Sequence, residues 1–404
     1  MDTTNGASVR RVTITLLVAG AMMSASNSVI FALLPGMQDR FGFSSAGLGI
    51  ITAAGFGTSF VVQLFVAPLA DRGHPRVFLF IGAAGSILGN LMCAASSGLW
   101  TIVLGRALLG AGTGSYLPTA RALMSSLGTE GRAARLGRLE SMGTAGFVVG
   151  PVIGGLLVGP LGVRWPFVIF CVMAVGAGSV LSMTRLPELP RRHDSNRIAF
   201  DLLRRRPMVV AILLAVSLGL PIGMYDALWA RYLTDLGASP VMVGISIAFY
   251  AAPYVLLAGF GGRLADRMGA LPLALRALLF ITPLTISYSL FHNPWFPISI
   301  GIIEAFVQAC AIPATQSVVA SAAPHGRTAA GQGLAGAVNV GVMALIAVIS
   351  SAMYGAYGVR VTFISVAAAA LAVGLLARWL ARGRLLEQAE TPAPDALAVV
   401  ESTS

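Results

Sequence analysis

Three ionisable side chains lie inside long apolar stretches of the chain, where they could bind and release protons. They are Arg106, Asp226 and Glu304. A charge in the hydrocarbon layer of a membrane is costly unless it is paired or hydrated, so such residues usually serve a function. Helix geometry places all three at a similar depth, roughly 10 Å below one end of their stretches. We expect one cluster, in which Arg106 pairs with one carboxylate and the other carries a proton.

We expect Glu304 to be the main proton carrier. Burial disfavours its ionised form while a nearby Arg106 favours it, and these opposed influences would let the carboxylate load and release a proton. Asp226 is the alternative carrier. It also has a simpler explanation, because Arg231 follows closely on the same stretch and could hold Asp226 permanently ionised near the membrane surface.

The stretches that must position these residues identify an integral membrane protein. Of the 404 residues, 56% are hydrophobic and 11% are charged, which leaves too little polar surface for a soluble domain. A transmembrane helix needs about 20 apolar residues, and about twelve such runs fit between Val12 and Leu380. The predicted spans are 12–37, 46–70, 77–95, 100–123, 142–161, 165–186, 208–233, 241–265, 271–291, 295–322, 329–357 and 361–379.

The spans divide into two halves around an arginine-rich connector. We predict six-helix bundles over 1–186 and 208–382, a cytoplasmic linker over 187–207 and a disordered cytoplasmic tail over 383–404. The 27 basic residues are all arginines, and most fall in loops on one side, which is therefore predicted to be cytoplasmic. The prediction is a multi-pass protein of the plasma membrane with both termini in the cytoplasm. Arginines scattered among loops suit anionic lipid and argue against nucleic-acid binding.

A four-residue motif occurs twice, after the second apolar run of each half. Leu69 to Arg72 reads Leu-Ala-Asp-Arg, and Leu264 to Arg267 repeats it, which indicates a tandem duplication. The longer segment 262–269 resembles the loop motif G-x-L-a-D-R-x-G of the major facilitator superfamily. Segment 146–157 resembles g-x-x-x-G-P-x-x-G-G-x-l, a pattern of drug and metabolite antiporters in that superfamily. Arg106, Gly110 and Gly112 resemble the superfamily's fourth-helix pattern R-x-x-x-G-x-g.

The resemblance implies an all-α membrane fold of about twelve helices in two pseudo-symmetric six-helix bundles that rock around a midplane site. It also implies a cytoplasmic latch, in which Asp71 and Asp266, beside Arg72 and Arg267, meet a helix N-terminus and arginines of the neighbouring bundle. The other interpretation of these residues is a solvated turn that follows the positive-inside rule.

A stripe of glycines marks one face of the predicted fifth helix. Gly146, Gly150 and Gly154 recur every four residues, which lets a neighbouring backbone approach closely. Pro151 adds a kink on that face. Small residues at this spacing also occur in ordinary helix packing, but the Gly-Pro and Gly-Gly context favours a gating role.

Polar and aromatic residues that could line a central cavity share helix faces. Ser24, Asn27, Ser28 and Phe31 lie on one face of the first span, and Gln308 and Thr315 continue the face of Glu304. Each residue alone is more often a helix-packing contact than a ligand contact. The predicted substrate contacts are Asn27, Phe31, Gln308, Tyr250, Tyr254 and Trp229.

An aromatic, weakly polar cavity suits an amphipathic solute. The predicted function is proton-coupled efflux of a small organic solute such as a drug, a secondary metabolite or a sugar. The alternatives are uptake symport, facilitated diffusion and a non-transporting sensor, although the connector and tail are too short for an output domain. Many antiporters that the sequence resembles carry an acid in the first span; this chain has none there, which leaves sugar or secondary-metabolite efflux open.

The sequence does not favour an enzyme. The four histidines, His74, His193, His292 and His325, fall in predicted loops, and no metal-ligand spacing or nucleotide-binding motif occurs. The three cysteines lie inside apolar runs, where thiols act as small hydrophobes. We expect no cofactor and no metal, with the proton gradient as the energy source. The expected partners are the solute, protons and lipid, and the expected state is a monomer.

Overall fold

The computed structural model describes residues 3–70, 75–127, 132–184, 186, 199–324 and 328–381. These residues form long helices joined by short turns. Short 3-10 helices, Ala199–Arg204 and Tyr288–Leu290, precede α7 and follow α9. The α-helices are α1 (Thr3–Phe41), α2 (Ser45–Ala70), α3 (Pro75–Ala94), α4 (Leu99–Ser126), α5 (Arg132–Leu161), α6 (Trp165–Met183), α7 (Arg206–Asp235), α8 (Pro240–Met268), α9 (Ala270–Ser287), α10 (Trp295–Ala322) and α11 (Thr328–Ala381).

Helix α11 consists of two arms that meet at Gly358. This residue has φ 77° and ψ −178°, a backbone conformation that glycine adopts without steric penalty. Counted as two arms, 328–357 and 359–381, α11 brings the described part of the chain to twelve helical spans. Within the same residues, 9 helices are long and apolar enough to cross a membrane. The predicted number of spans is confirmed.

Helix packing repeats between the two halves. In the first half α1 packs against α5, α2 against α4, and α3 against α4 and α6. In the second half α7 packs against α11, α8 against α10, and α9 against α10 and α11. Because the arms of α11 correspond to α5 and α6, the two sets of contacts follow one pattern. The prediction of two similar six-helix bundles is confirmed.

The most extensive contacts between the halves are made by two reciprocal helix pairs, α2 with α11 and α5 with α8. Both pairs include close approaches near the end of the bundle that the arginines predict to be extracellular, which we call the outer end. Gly49 of α2 lies against the main chain at Ala347, and Gly155 of α5 lies against the main chain at Pro240. A Cβ atom at either position would meet backbone atoms of the facing helix, so both contacts are possible only because the residue is glycine. The halves are thus closed together at the outer end.

The glycine stripe of α5 packs against α1. The three contacts pair Gly146 with Ala21, Gly150 with Ala25 and Ser28, and Gly154 with Val29. At each position an added Cβ would press on the facing helix, so the predicted close helix contact is confirmed. The role of this face in gating stays a prediction.

The C-terminal part of the predicted linker is packed against the second half. Leu202, in the 3-10 helix Ala199–Arg204, is fully buried and anchors this turn beside α7 and α11. The Arg206 Nε donates a hydrogen bond to the carbonyl of Leu380 at 2.9 Å. Residues 187–198 and the tail predicted over 383–404 lie outside the described residues, as do Asp71 and Arg72 of the predicted latch.

The α1–α5 contact predicts the effect of added bulk on the glycine stripe. We expect Gly150→Leu to reduce the yield of folded, monodisperse protein, because overpacking a tight contact costs about 1 to 3 kcal/mol. Gly159→Leu on the same helix is the matched control, since a Cβ at Gly159 meets no atom within 4 Å. Size-exclusion profiles and thermal unfolding of both variants measure the difference. Equal stability of the two variants would contradict the contact.

Candidate functional site

A cavity of about 280 Å³ lies between the two halves of the protein. Its wall is mostly aromatic and aliphatic, and Asp226 is the one acidic residue among its described lining residues. The first half contributes Phe31, Thr144 and Phe147. The second half contributes Ile222, Tyr225, Asp226, Trp229, Ala230, Ile247, Tyr250, Ala251, Tyr288 and Ile312. The size suits a small organic molecule, and the position between the halves suits a carrier.

Aromatic rings form one continuous side of this cavity. The ring centroids of Tyr225, Trp229 and Tyr288 lie 5.4 to 5.8 Å from one another, with edge-to-face orientations. The ring of Tyr250 lies 6.4 Å from that of Tyr225, and across the cavity Phe31 and Phe147 lie 5.7 Å apart. Such geometry favours the packing of aromatic or amphipathic groups.

Glu304 lies behind this aromatic wall. Its side chain is 0% exposed, and its Oε2 accepts hydrogen bonds from the hydroxyls of Tyr288 at 2.6 Å and Tyr225 at 3.1 Å. The hydroxyl of Tyr225 also lies 2.8 Å from the Thr285 Oγ1. The other carboxylate oxygen, Oε1, has no hydrogen-bond partner among the described residues. The carboxylate is therefore sealed from the cavity by two tyrosines that bind it.

Arg106 is held by α1, and among the described residues it forms no ion pair with either of the two carboxylates, one of which was the predicted partner. It is 1% exposed, and its Nη1 donates to the main-chain carbonyl of Asn27 at 2.7 Å and to the Asn27 Oδ1 at 2.6 Å. The guanidinium carbon lies 4.9 Å from the centre of the Phe31 ring, a cation–π contact. A main-chain carbonyl and an amide oxygen thus take the place of the carboxylate that we expected.

Asp226 is the carboxylate whose charge acts on Arg106, from the opposite half. It is half-buried and lines the cavity. Among the described residues no nitrogen of Arg106 comes within 4.0 Å of its oxygens. The expected single cluster is therefore two sites: Asp226 in the cavity wall, within electrostatic range of the buried Arg106, and Glu304 in its tyrosine pocket.

Arg231 does not neutralise Asp226, which excludes the simpler explanation of that residue. Its Nη1 lies 2.6 Å from the Asp39 Oδ1 and its Nη2 lies 2.7 Å from the Asp235 Oδ1. The hydroxyl of Tyr354 donates to the Asp235 Oδ2 at 2.6 Å. These contacts join α1 to α7 and α11 at the outer end. Arg231 therefore ties the two halves together beside the close glycine contacts.

The predicted substrate contacts divide into two groups. Phe31, Trp229 and Tyr250 line the cavity, and the Trp229 Nε1 donates to the Ser246 Oγ at 2.9 Å. Asn27 and Gln308 are not in the cavity wall, because Asn27 binds Arg106 and Gln308 is fully buried one turn beyond Glu304. The side chain of Tyr254 lies outside the described part of the chain.

Other members of the predicted polar faces make hydrogen bonds within their own helices. The hydroxyl of Ser28 donates to the carbonyl of Ala25, and that of Thr315 to the carbonyl of Ala311. Of the latch residues, Asp266 and Arg267 lie exposed in the last turn of α8. Their partners in the predicted latch fall partly on residues outside the described ranges, so the latch stays a prediction.

The two tyrosines that bind Glu304, Tyr225 and Tyr288, were not identified from the sequence. Tyr225 directly precedes Asp226, so its position beside a membrane-embedded carboxylate was a usable signal. Tyr288 follows α9 and reaches Glu304 of α10 only through tertiary packing. No spacing along the chain connects these two residues.

Twelve helical spans in two similar halves, with a cavity between them, define a membrane transport protein. The sequence profile of the Major Facilitator Superfamily matches residues 16–227 and again residues 211–401. The chain belongs to this superfamily. It is a multi-pass membrane protein and a transporter, and the superfamily is not one of enzymes.

Relatives and solved structures agree with this assignment. The chain is 24% identical over 314 residues to the multidrug resistance protein MdtG of Proteus mirabilis, covering 74% of this chain and 78% of that protein. It is 26% identical over 316 residues to MdtG of Citrobacter koseri, covering 74% and 77%.

Two solved structures share the fold. A bacterial homologue of the human lysosomal transporter Spinster, in an inward-facing and occupied conformation, has a TM-score of 0.79 at 18% identity and covers 95% of this chain and 98% of that one. The nucleoside transporter NupG has a TM-score of 0.79 at 11% identity, covering 92% and 99%. At these identities the likeness concerns the fold.

The contacts of Arg231 predict that its charge keeps the outer end closed. We expect Arg231→Asp to increase labelling of a cavity cysteine, introduced as Tyr250→Cys, by a membrane-impermeant maleimide added at the outer end. Partly exposed ion pairs contribute up to about 1 kcal/mol, so the increase should be up to about fivefold. The charge exchange Asp39→Arg with Arg231→Asp should restore the original labelling rate. Increased labelling that the exchange does not reverse would contradict the pairing.

Proposed function

We propose that this transporter exports a small amphipathic organic solute in exchange for protons, by alternating access. The observation that carries the proposal is the fully buried Glu304, bound by two tyrosines whose rings line the cavity between the halves. A carboxylate inside the membrane is energetically costly, so it usually serves a function, and the chemistry open to it is reversible protonation. Its contact with the cavity wall gives that chemistry a path to the solute.

The cavity supports an amphipathic solute with an aromatic or other flat apolar part. Trp229, Tyr250 and Phe31 offer ring faces and edges, and the exposed polar groups are few. Asp226 would face the polar or basic part of the solute. The name of the MdtG relatives, multidrug resistance protein, supports a drug or secondary metabolite, and a sugar remains within the same proposal because sugars also stack on rings.

The buried charges would share the work of coupling. Glu304 carries the proton, and Asp226 is the second titratable group of the pathway. Arg106 positions α1 through Asn27 and Phe31 and supplies the positive charge that Asp226 faces. Each half moves as a unit, and the α2–α11 and α5–α8 contacts open and close the ends of the cavity. The proton gradient across the bacterial inner membrane is the energy source, and a monomer suffices because the cavity is complete within one chain.

The uptake alternatives differ from export in the direction of net flux. Inverted vesicles that contain the protein, energised to be acidic inside, should accumulate an exported solute and lose it when the pH gradient is collapsed. A panel of lipophilic amines, neutral aromatic compounds and sugars would identify the solute class. Flux that runs down the solute gradient irrespective of pH would indicate a facilitative carrier, and symport would deplete the vesicles. Specific binding without flux would indicate a sensor.

Glu304→Gln separates proton coupling from solute binding. Glutamine keeps the shape of the side chain and still accepts from both tyrosines, but it cannot titrate. We expect the variant to exchange labelled for unlabelled solute at close to the normal rate and to lose at least tenfold in transport driven by a pH gradient. Asp226→Asn is the matched comparison in the same cavity. If gradient-driven transport survives in Glu304→Gln and disappears in Asp226→Asn, then Asp226 is the proton carrier and Glu304 is not.

A further inference from the structure

Two tyrosines connect Glu304 to the cavity. Glu304 is not itself in the cavity wall, whereas the rings of Tyr225 and Tyr288 are, and their hydroxyls bind its Oε2. Among the described residues these are the side chains that both line the cavity and bond to Glu304. A change of charge at Glu304 therefore reaches the solute through their hydroxyl groups.

Proton counting gives the direction of each hydrogen bond. A tyrosine hydroxyl has one proton, and an ionised carboxylate only accepts. When Glu304 is charged, Tyr225 and Tyr288 both donate to its Oε2, so Thr285 must donate to Tyr225. When Oε2 carries a proton, the donor and acceptor of one of these hydrogen bonds exchange roles, because the carboxyl now donates to one tyrosine oxygen. The hydroxyl of that tyrosine must then donate to a different acceptor.

Tyr225 is the tyrosine that has another acceptor available. The Thr285 Oγ1 lies 2.8 Å from its hydroxyl and can accept as well as donate. Gln308 interacts with the carboxylate from the same helix but is not in the cavity wall, so the link from Glu304 to the wall runs through the tyrosines. Protonation of Glu304 on Oε2 therefore reverses both the Tyr225–Thr285 and the Tyr225–Glu304 bonds, and a strong bond to a charged carboxylate becomes a weaker bond between neutral groups.

We propose that Tyr225 and Tyr288 are positioning residues that transmit the protonation state of Glu304 to the wall of the solute cavity. The proposal deepens the proposed function and rests on Glu304 as the proton carrier. With Glu304 charged, both rings are held by their hydroxyls, and the aromatic wall that includes Trp229 is fixed. With Glu304 neutral, Tyr225 is held by a weaker hydrogen bond and can shift against Trp229, whose ring centroid lies 5.8 Å away.

Two carboxylates could make this wall respond to pH, and the experiment must separate them. The titratable groups that face Glu304 are Tyr225 from α7 and Tyr288 from the turn after α9, and Gln308 of α10 is the neutral neighbour of the carboxylate. Tyr232 donates to the Tyr288 carbonyl at 2.6 Å. Asp226 lines the same wall, opposite Arg106. A pH response of Trp229 would thus come from Glu304 or from Asp226.

The fluorescence of Trp229 tests the proposal without any solute. The other tryptophans, Trp100, Trp165, Trp295 and Trp379, are 54% to 71% exposed on the surface of the protein and can be replaced by phenylalanine. The full chain with Trp229 alone is reconstituted in lipid nanodiscs, and its emission is recorded across pH. We expect a single titration that persists in Asp226→Asn and disappears in Glu304→Gln.

Tyrosine-to-phenylalanine variants then test the transmitting hydroxyls. Tyr225→Phe with Tyr288→Phe keeps both rings but removes both donors to the charged carboxylate, so the midpoint should move by about one pH unit or more toward alkaline pH. Tyr232→Phe is the matched control, because it removes a hydroxyl of the same cluster that binds main chain. Its midpoint should stay close to that of the parent protein.

Each contrary result overturns a defined part of the proposal. Emission that does not respond to pH, or a response that survives in Glu304→Gln, would show that the wall does not respond to Glu304. An unchanged midpoint in the double variant would show that the hydroxyls do not transmit it. If the double variant fails to fold, Tyr288→Phe alone, which removes the 2.6 Å bond, carries the same test. Vesicle transport by Glu304→Gln tests the proposed function separately.

Discussion

The cost of a charge inside the hydrocarbon layer governs the arrangement of this protein. Glu304 and Arg106 are both fully or almost fully buried within the helical bundle, and each is compensated by close polar partners. Arg106 has the amide and carbonyl oxygens of Asn27 and the face of Phe31. Glu304 has two hydroxyl donors on a single oxygen. The two sets of partners behave differently. A tyrosine hydroxyl can change from donor to acceptor when the carboxylate gains a proton, whereas the oxygens that bind Arg106 can only accept.

The duplicated architecture makes a local change of charge useful. Each half is a set of closely packed helices, and in the proposed mechanism it moves as a unit against the other half at the α2–α11 and α5–α8 contacts. At the outer end these contacts are backbone approaches at Gly49 and Gly155, together with the ionic contacts of Arg231. In the proposed mechanism these contacts separate when the outer end opens. The cavity between the halves is where solute and protonation can influence that separation.

Much of the fold could be predicted from the sequence, because hydrophobic length and the repeated Leu-Ala-Asp-Arg motif are local signals. The glycine stripe of α5 could be predicted for the same reason, since its spacing defines a helix face. The same reasoning identified Glu304 and Asp226 as important, because each is conspicuous within an apolar stretch. It also placed Phe31, Trp229 and Tyr250 at the cavity.

The partners of these residues could not be predicted, since they depend on how the helices are rotated and packed. Asn27 was expected to contact substrate and instead binds Arg106. Arg231 was the alternative partner considered for Asp226 and instead binds Asp39 and Asp235. The tyrosine pocket of Glu304 combines residues from α7, α10 and the turn after α9. The periodicity of apolar residues within one helix does not show which side chains of different helices will be in contact.

The proposed exchange of solute for protons requires that solute in the cavity and a proton on Glu304 disfavour each other. Proton release on solute binding measures this directly, using purified protein in weakly buffered solution and a solute identified by the vesicle panel. We expect solute binding at mildly acidic pH to release protons from the unaltered protein and from Asp226→Asn, and to release none from Glu304→Gln although solute still binds. Equal proton release from Glu304→Gln and the unaltered protein would contradict it.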